Sequence, residues 1–270
     1  MSDFDRNVAA ADYGRPLTRA EAAVVDAGLR AYMLRIYNYM VLGLAITGFA
    51  ALGAYMLSVT GDPASAVRGA TGAAALRNGV YLTAIGYALF VSPLKWAIIL
   101  APLALVFFLS FRIEKMRPAT AQITFWIYAA MVGISLGVIF LVYTHTSVVR
   151  VFFITAASFG ALSLWGYTTQ RDLSGMGSFL IMGLFGIIIA SLVNIFLAST
   201  ALQWVISVLG VLIFAGLTAW DTQRLKSEYI YGSMEGDVLE RSAIMGALAL
   251  YLDFLNLFTF LLQLMGSREE

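Results

Sequence analysis

The sequence predicts an all-α polytopic membrane protein, a seven-transmembrane-helix bundle with the last helix central. Three observations carry this. The chain is 60% hydrophobic and 12% charged, where soluble domains carry about 25% charged residues. Its apolar stretches recur at lengths near the ~20 residues a helix needs to cross a bilayer. In the last stretch Gly246, Asp253, Asn256 and Gln263 share one face, and a polar seam on an apolar helix belongs toward other helices rather than lipid.

Composition also excludes. A net charge of +1 gives no reason to expect nucleic acid as a partner. The absence of cysteine removes thiol catalysis and cysteine metal sites. His145 is the only histidine, which leaves no histidine cluster for a metal, and its YTHTS turn is expected to face solvent. No cofactor is expected. The polar N-terminus lacks the apolar core of a signal peptide.

The elements follow in order. Residues 1–34 form a polar N-terminal arm, expected in the cytoplasm, in which Thr18 and Glu21 have the spacing of a capping box and predict a short amphipathic helix from about Arg19. Residues 35–266 form the transmembrane domain and 267–270 a tail. Span one runs from about Ile36 to Val59. Residues 60–93 read as an extracytoplasmic loop with an interfacial or re-entrant segment, because the apolar piece from Gly79 to Val91 is too short to cross. Span two, about Trp96 to Phe111, contains Pro102, which removes a backbone hydrogen bond and predicts a kink. Spans three to six are expected at about Ile123–Tyr143, Val148–Tyr167, Phe179–Ala198 and Leu202–Trp220, and span seven at about Ala243–Met265. Gly183, Gly186, Ala190 and Asn194 form a small-residue stripe on span five, and Gly133 with Gly137 a small pair on span three, both suited to close helix approach. Lysine and arginine divide twelve to five between the two sides, which predicts an N-terminus inside and a C-terminus outside.

Two acids stand out. Asp221 closes span six and Asp253 lies about ten residues into span seven, about 15 Å from its start. A carboxylate at the centre of an apolar helix costs at least about 2.5–3.5 kcal/mol on insertion scales, so the two are expected to face each other or a wet cavity. On these spans they need not touch by geometry alone; a tilt or a loop-side extension of span six would bring them together. Asp221 has an alternative partner in Arg224, one turn on. Asn194 and Asn256 are read as a polar seam that glues helices by hydrogen bonds. Two carboxylates about 4 Å apart at an effective dielectric of 20 repel by about 4 kcal/mol, so a pair at that separation holds one proton near neutral pH and offers hard oxygen ligands to a cation such as calcium once that proton leaves. Asp221 and Asp253 are therefore the candidate ion pathway, pH sensor and calcium ligands, with calcium as a permeant or transiently bound ion.

The runs FAGLTAWDTQRLK and LYLDFLNLF, with VNIFL in span five, resemble the bacterial branch of the Bax inhibitor / YccA-like (transmembrane Bax inhibitor motif) family. The resemblance spans Arg35 to Gly266 and is most specific at the two aspartate runs. It implies a last helix surrounded by the other six and a pH-dependent calcium leak through an aspartate pair, which maps onto Asp221 and Asp253. A family arginine near the end of span two, a partner of the pair in gating, maps onto Arg112. Some members carry an acid within span two; here none precedes Glu114.

A second reading comes from the same resemblance: YccA-like members are associated with restraining a membrane-anchored AAA protease, and the arm at residues 1–34 is where such a partner would bind. A third, an intramembrane aspartyl protease, also needs one acid on each of two spans, but Asp253 follows Leu250-Tyr251-Leu252 where that class has a GxGD motif. The expected function is a pH-sensitive calcium leak channel in a bacterial inner membrane, and not an enzyme.

Overall fold

The computed structural model describes residues 19–69, 72–73, 75–77, 79–231 and 236–268. Its long elements are helices: α1 (Arg19–Ser58), α2 (Ala84–Phe90), α3 (Leu94–Arg112), α4 (Pro118–Leu136), α5 (Ile139–Val142), α6 (His145–Thr168), α7 (Ser174–Leu197), α8 (Thr200–Tyr231) and α9 (Gly236–Met265). Among the described residues seven helical stretches are long and apolar enough to cross a membrane. The chain is an all-α polytopic membrane protein.

Several boundaries differ from those read in the sequence. The helix expected from about Arg19 and span one are one continuous helix, α1, because Ala, Leu and Met carry it through with no Pro and a single Gly, Gly43, between Leu29 and Thr47. Thr18, the expected cap, lies outside the described residues. Span six does not stop at Trp220: α8 continues eleven residues to Tyr231. Its extension is mostly polar, but Asp221, Thr222 and Leu225 are buried, at 7%, 0% and 2% exposure, so tertiary packing holds the helix past the end of the apolar run.

Residues 60–93 hold two small antiparallel sheets and one short helix. Strands β1 (Val59–Thr60), β5 (Val80–Leu82) and β4 (Ala75–Arg77) form a sheet in the order β1-β5-β4, and β2 (Arg68–Gly69) pairs with β3 (Gly72–Ala73). The Thr83 hydroxyl accepts from Gly86 N and so caps α2, while donating to the Leu57 carbonyl. An added Cβ at Gly86 would fall 2.3 Å from the Ser58 carbonyl oxygen, so only glycine admits that approach.

The chain divides into two compact units, Met1–Met40 with Val149–Met265, and Val41–Val148 with the residues from Gly266. In the second unit α4 lies backbone to backbone on the later part of α1. A Cβ at Gly133 would stand 2.4 Å from the Thr47 carbonyl oxygen and one at Gly137 3.1 Å from the Ala54 Cβ, and Thr47 Oγ1 donates to the Ala129 carbonyl at 3.0 Å. The glycine pair on span three thus does what its spacing predicts. The end of the chain joins this unit: Thr144 N donates to the Ser267 carbonyl, and Ser267 N donates to Ser147 Oγ. His145 is exposed, its ring 5.1 Å from Tyr55 and 5.5 Å from Phe140.

The first unit is built around α8 and α9. Of the seven candidate spans α9 is the most enclosed, with 56% of its apolar window buried against 17–33% in the others; Ile244, Leu250, Tyr251 and Leu257 are at or below 1% exposure. Glycines on neighbouring helices bring backbones onto α8: a Cβ at Gly166 would meet the Ala219 carbonyl at 2.2 Å, and one at Gly177 the Trp220 ring at 2.2 Å. The stripe on span five is only partly used. Gly183 faces Ile213, but nothing lies within 4 Å of a Cβ at Gly186.

Candidate functional site

The extension of α8 makes the site. Leu225 packs over Gly246 on α9, where a Cβ would fall 2.7 Å from a Leu225 methyl, and further along the pair Phe260 packs over Gly210. These two contacts set an antiparallel register, and within it Asp221 and Asp253 come into side-chain hydrogen-bonding range of each other. Both are buried, at 7% and 5% exposure. Neither faces lipid.

Their surroundings differ. Arg224, three residues after Asp221, places Nη2 2.6 Å from Asp221 Oδ1, as its helical spacing allows, and its guanidinium lies 4.9 Å over the Trp220 ring. Arg224 Nε is also 3.7 Å from Glu228 Oε1. Asp253 has no such cation beside it on its own helix, and its Oδ2 is buried without a hydrogen-bond partner among the described residues. The site therefore contains two carboxylates and one guanidinium; among the described residues Asp221 Oδ1 has the Arg224 ion pair but no hydrogen bond, and Asp253 Oδ2 has neither. An unsatisfied buried carboxylate oxygen costs about 1–3 kcal/mol or more, so the pair does not add to the stability of the fold through this atom.

A hydroxyl chain flanks the pair. Tyr37 Oη and Ser163 Oγ are hydrogen-bonded at 2.6 Å, Ser163 Oγ and Thr222 Oγ1 at 2.9 Å, and Thr222 Oγ1 donates to the Thr218 carbonyl. On the other side of α8, Gln223 holds the loop between α6 and α7: its Nε2 donates to the Arg171 carbonyl and its Oε1 accepts from Leu173 N, both at 2.8 Å. Beside this clamp is a half-open cavity of about 680 Å³, lined by Asp26, Tyr167, Arg171, Asp172 and Lys226 among others. Lys226 Nζ donates to the Tyr167 carbonyl at 3.0 Å.

The other candidate residues fall into place differently. Asn194 is 8% exposed and bridges helices, its Nδ2 donating to Gln203 Oε1 and its Oδ1 accepting from Ser199 N. Gln203 Nε2 and Ser207 Oγ in turn both donate to Gln263 Oε1 at 2.8 Å, so an amide cluster closes the far end of the α8–α9 seam. Asn256 departs from expectation. Its Nδ2 donates to the Leu252 carbonyl one turn back on its own helix, which satisfies the donor locally and glues no neighbour. Arg112 is an exposed residue in the last turn of α3, in the second unit. The cation beside the acids within their own unit is Arg224.

Gln203, Ser207, Gly210, Phe214, Thr218 and Asp221 recur every three or four residues on α8. All of this stripe but Asp221 is visible as spacing within the expected span six, whereas Asp221 and the clamp residue Gln223 lie beyond its expected end at Trp220.

Comparison with known proteins agrees with this architecture. Inner membrane protein YbhL of Escherichia coli is 42% identical over 249 residues, covering 90% of this chain and 94% of YbhL. A Rickettsia prowazekii protein is 43% identical over 260 residues, covering 96% and 99% of the two chains. A Caulobacter vibrioides protein is 42% identical over the full length of both. A family model described as inhibitor of apoptosis-promoting Bax1 matches residues 29–270, and with the buried aspartates on its last two spans the chain belongs to that Bax inhibitor family.

Proposed function

We propose that this protein is a pH-sensitive cation leak, with calcium among its permeant ions, and that Asp221 and Asp253 are its proton sensor and transient ion site. The observation that carries the reading is the meeting of two buried carboxylates with one oxygen, Asp253 Oδ2, left unpartnered. With one proton between them, the two acids and Arg224 sum to zero charge. With that proton gone the site carries −1 in a low-dielectric interior, where an uncompensated charge is expensive, and a cation is the natural compensation. The pair offers at most four oxygens against the 6–8 that calcium takes. Water must complete the shell, which suits passage rather than storage.

The relative named as an inner membrane protein favours the same membrane for this chain, and the twelve-to-five split of basic residues favours an N-terminus inside. Calcium entry into dye-loaded proteoliposomes between about pH 6 and about pH 8 tests the reading. Flux is expected to rise with pH in wild type and to lose both its size and its pH response in Asp253→Asn. Wild-type vesicles no leakier than empty ones across that range would sink it.

A further inference from the structure

The α8–α9 seam has three layers. The acid pair lies at one end. The amide cluster lies at the other, with Gln203 eighteen residues from Asp221 along α8 and Gln263 ten residues from Asp253 along α9, or about 27 Å and about 15 Å. Between them, about 16 Å from Asp221, the Phe260 ring occupies the space left by the missing side chain of Gly210. A Cβ there would fall 2.6 Å from two ring carbons. The same ring stacks on Phe214 at 5.9 Å and 28°. Polar groups thus flank an apolar layer in which the half-buried Phe260 ring sits on Gly210 and stacks on the buried Phe214, with Leu217 and Leu257 also buried between the acids and the amides, and a narrow apolar layer excludes water and ions until it is displaced.

We propose that Phe260, seated on Gly210, is the hydrophobic seal that separates the acid pair from the amide end of the seam. The proposal rests on the seam being the route of the leak, and it adds the element that closes it. A small shift of α9 against α8 lifts the ring out of the glycine notch and joins the two polar layers. The amide oxygens of Gln203 and Gln263 then receive a partly dehydrated cation on one side of the seal and the carboxylates receive it on the other.

The sequence contains no cysteine, so single introduced thiols report water access without background. Thr218→Cys, on the acid side of the ring, is expected to resist a charged thiol reagent applied from the Gln263 side. In Phe260→Ala it is expected to react, with calcium flux raised severalfold at low pH and a flattened pH profile. Phe260→Leu keeps an apolar plug and is expected to keep both protection and profile. Gly210→Ala fills the notch, displaces the ring and serves where Phe260→Ala fails to fold; it is expected to open access. A Thr218→Cys thiol that reacts in the otherwise wild-type chain, or one that stays protected in a folded Phe260→Ala or Gly210→Ala protein, overturns the seal. Labelling does not depend on flux, so a sealed seam in a protein that passes no calcium would remove the leak and leave the seal standing.

Discussion

Asp221 meets Asp253 beyond the point where Leu225 settles over Gly246, one turn along α8 and two turns along α9. A bulky residue on one helix and a glycine on the next fix how far the two rods are shifted, and that shift decides which polar residues face each other. The acids come together because the apolar packing beside them favours this register.

The two acids are expected to behave unequally when neutralised. Asp253→Asn removes like-charge repulsion and an orphaned oxygen, and it supplies a donor to Asp221. It should raise the thermal stability of the purified protein by about 0.5–2 kcal/mol while abolishing pH-dependent flux. Asp221→Asn instead strips Arg224 of its 2.6 Å partner and should gain nothing or lose. A lower melting temperature for Asp253→Asn than for Asp221→Asn would show that the pair is structural.

Helix contact in the second unit makes a sharper contrast. Gly133→Val drives a side chain into the Thr47 carbonyl, a backbone atom that cannot swing aside, and should cost about 1–3 kcal/mol. Gly186→Ala meets nothing within 4 Å and should stay within about 0.5 kcal/mol of wild type. Thermal denaturation in one detergent checks both.

Gln223→Ala deletes both bonds that hold the loop between α6 and α7. Each net bond contributes about 0.5–1.5 kcal/mol, so the expected result is faster amide exchange at Leu173 and earlier proteolysis within 169–173, with the rest of α8 unchanged. Unaltered exchange at Leu173 would mean the clamp is not formed.

The same loop has its own pH response. Hydrogen bonds from Ser174 hold the Asp172 carboxyl below its ordinary value. A carboxyl lowered in the folded state stabilises above its unfolded pKa, about 3.9, and that contribution is lost as pH falls through the folded value. Exchange at Ser174 should therefore quicken only in strong acid, and Asp172→Asn should remove the acid-dependent part.

Much of this was legible in the sequence because hydrophobicity and length govern what crosses a membrane. The seven spans, the glycine pair at 133 and 137 and the two acids needed nothing more. What escaped notice shared one cause. The run Gln223-Arg224-Leu225-Lys226 looks like a loop when apolar content alone is read, yet Leu225 continues the buried side of α8. A helix that ends at Trp220 has Asp221 at its terminus and leaves Gln223 and Leu225 outside it, although the stripe from Gln203 to Thr218 lies within the expected span. The small strands after Ser58 and the local bond of Asn256 were beyond reach for another reason: neither has a period, and each depends on which neighbour is nearest.

The length of α8 also has an electrical consequence. At 1.5 Å per residue its 32 residues extend about 48 Å, well beyond the ~30 Å hydrocarbon thickness. On α9 the twelve residues from Asp253 to Met265 extend about 18 Å, so a ~30 Å layer that ends at Met265 encloses the acids rather than ending beside them. If the pair is the ion site proposed above, a divalent ion and a proton each cross part of the membrane field to reach it, a field in which a full crossing by the divalent ion exchanges about 4.6 kcal/mol for each 100 mV. Ion entry and proton sensing are then both expected to depend on voltage, which flux recorded at a set membrane potential checks.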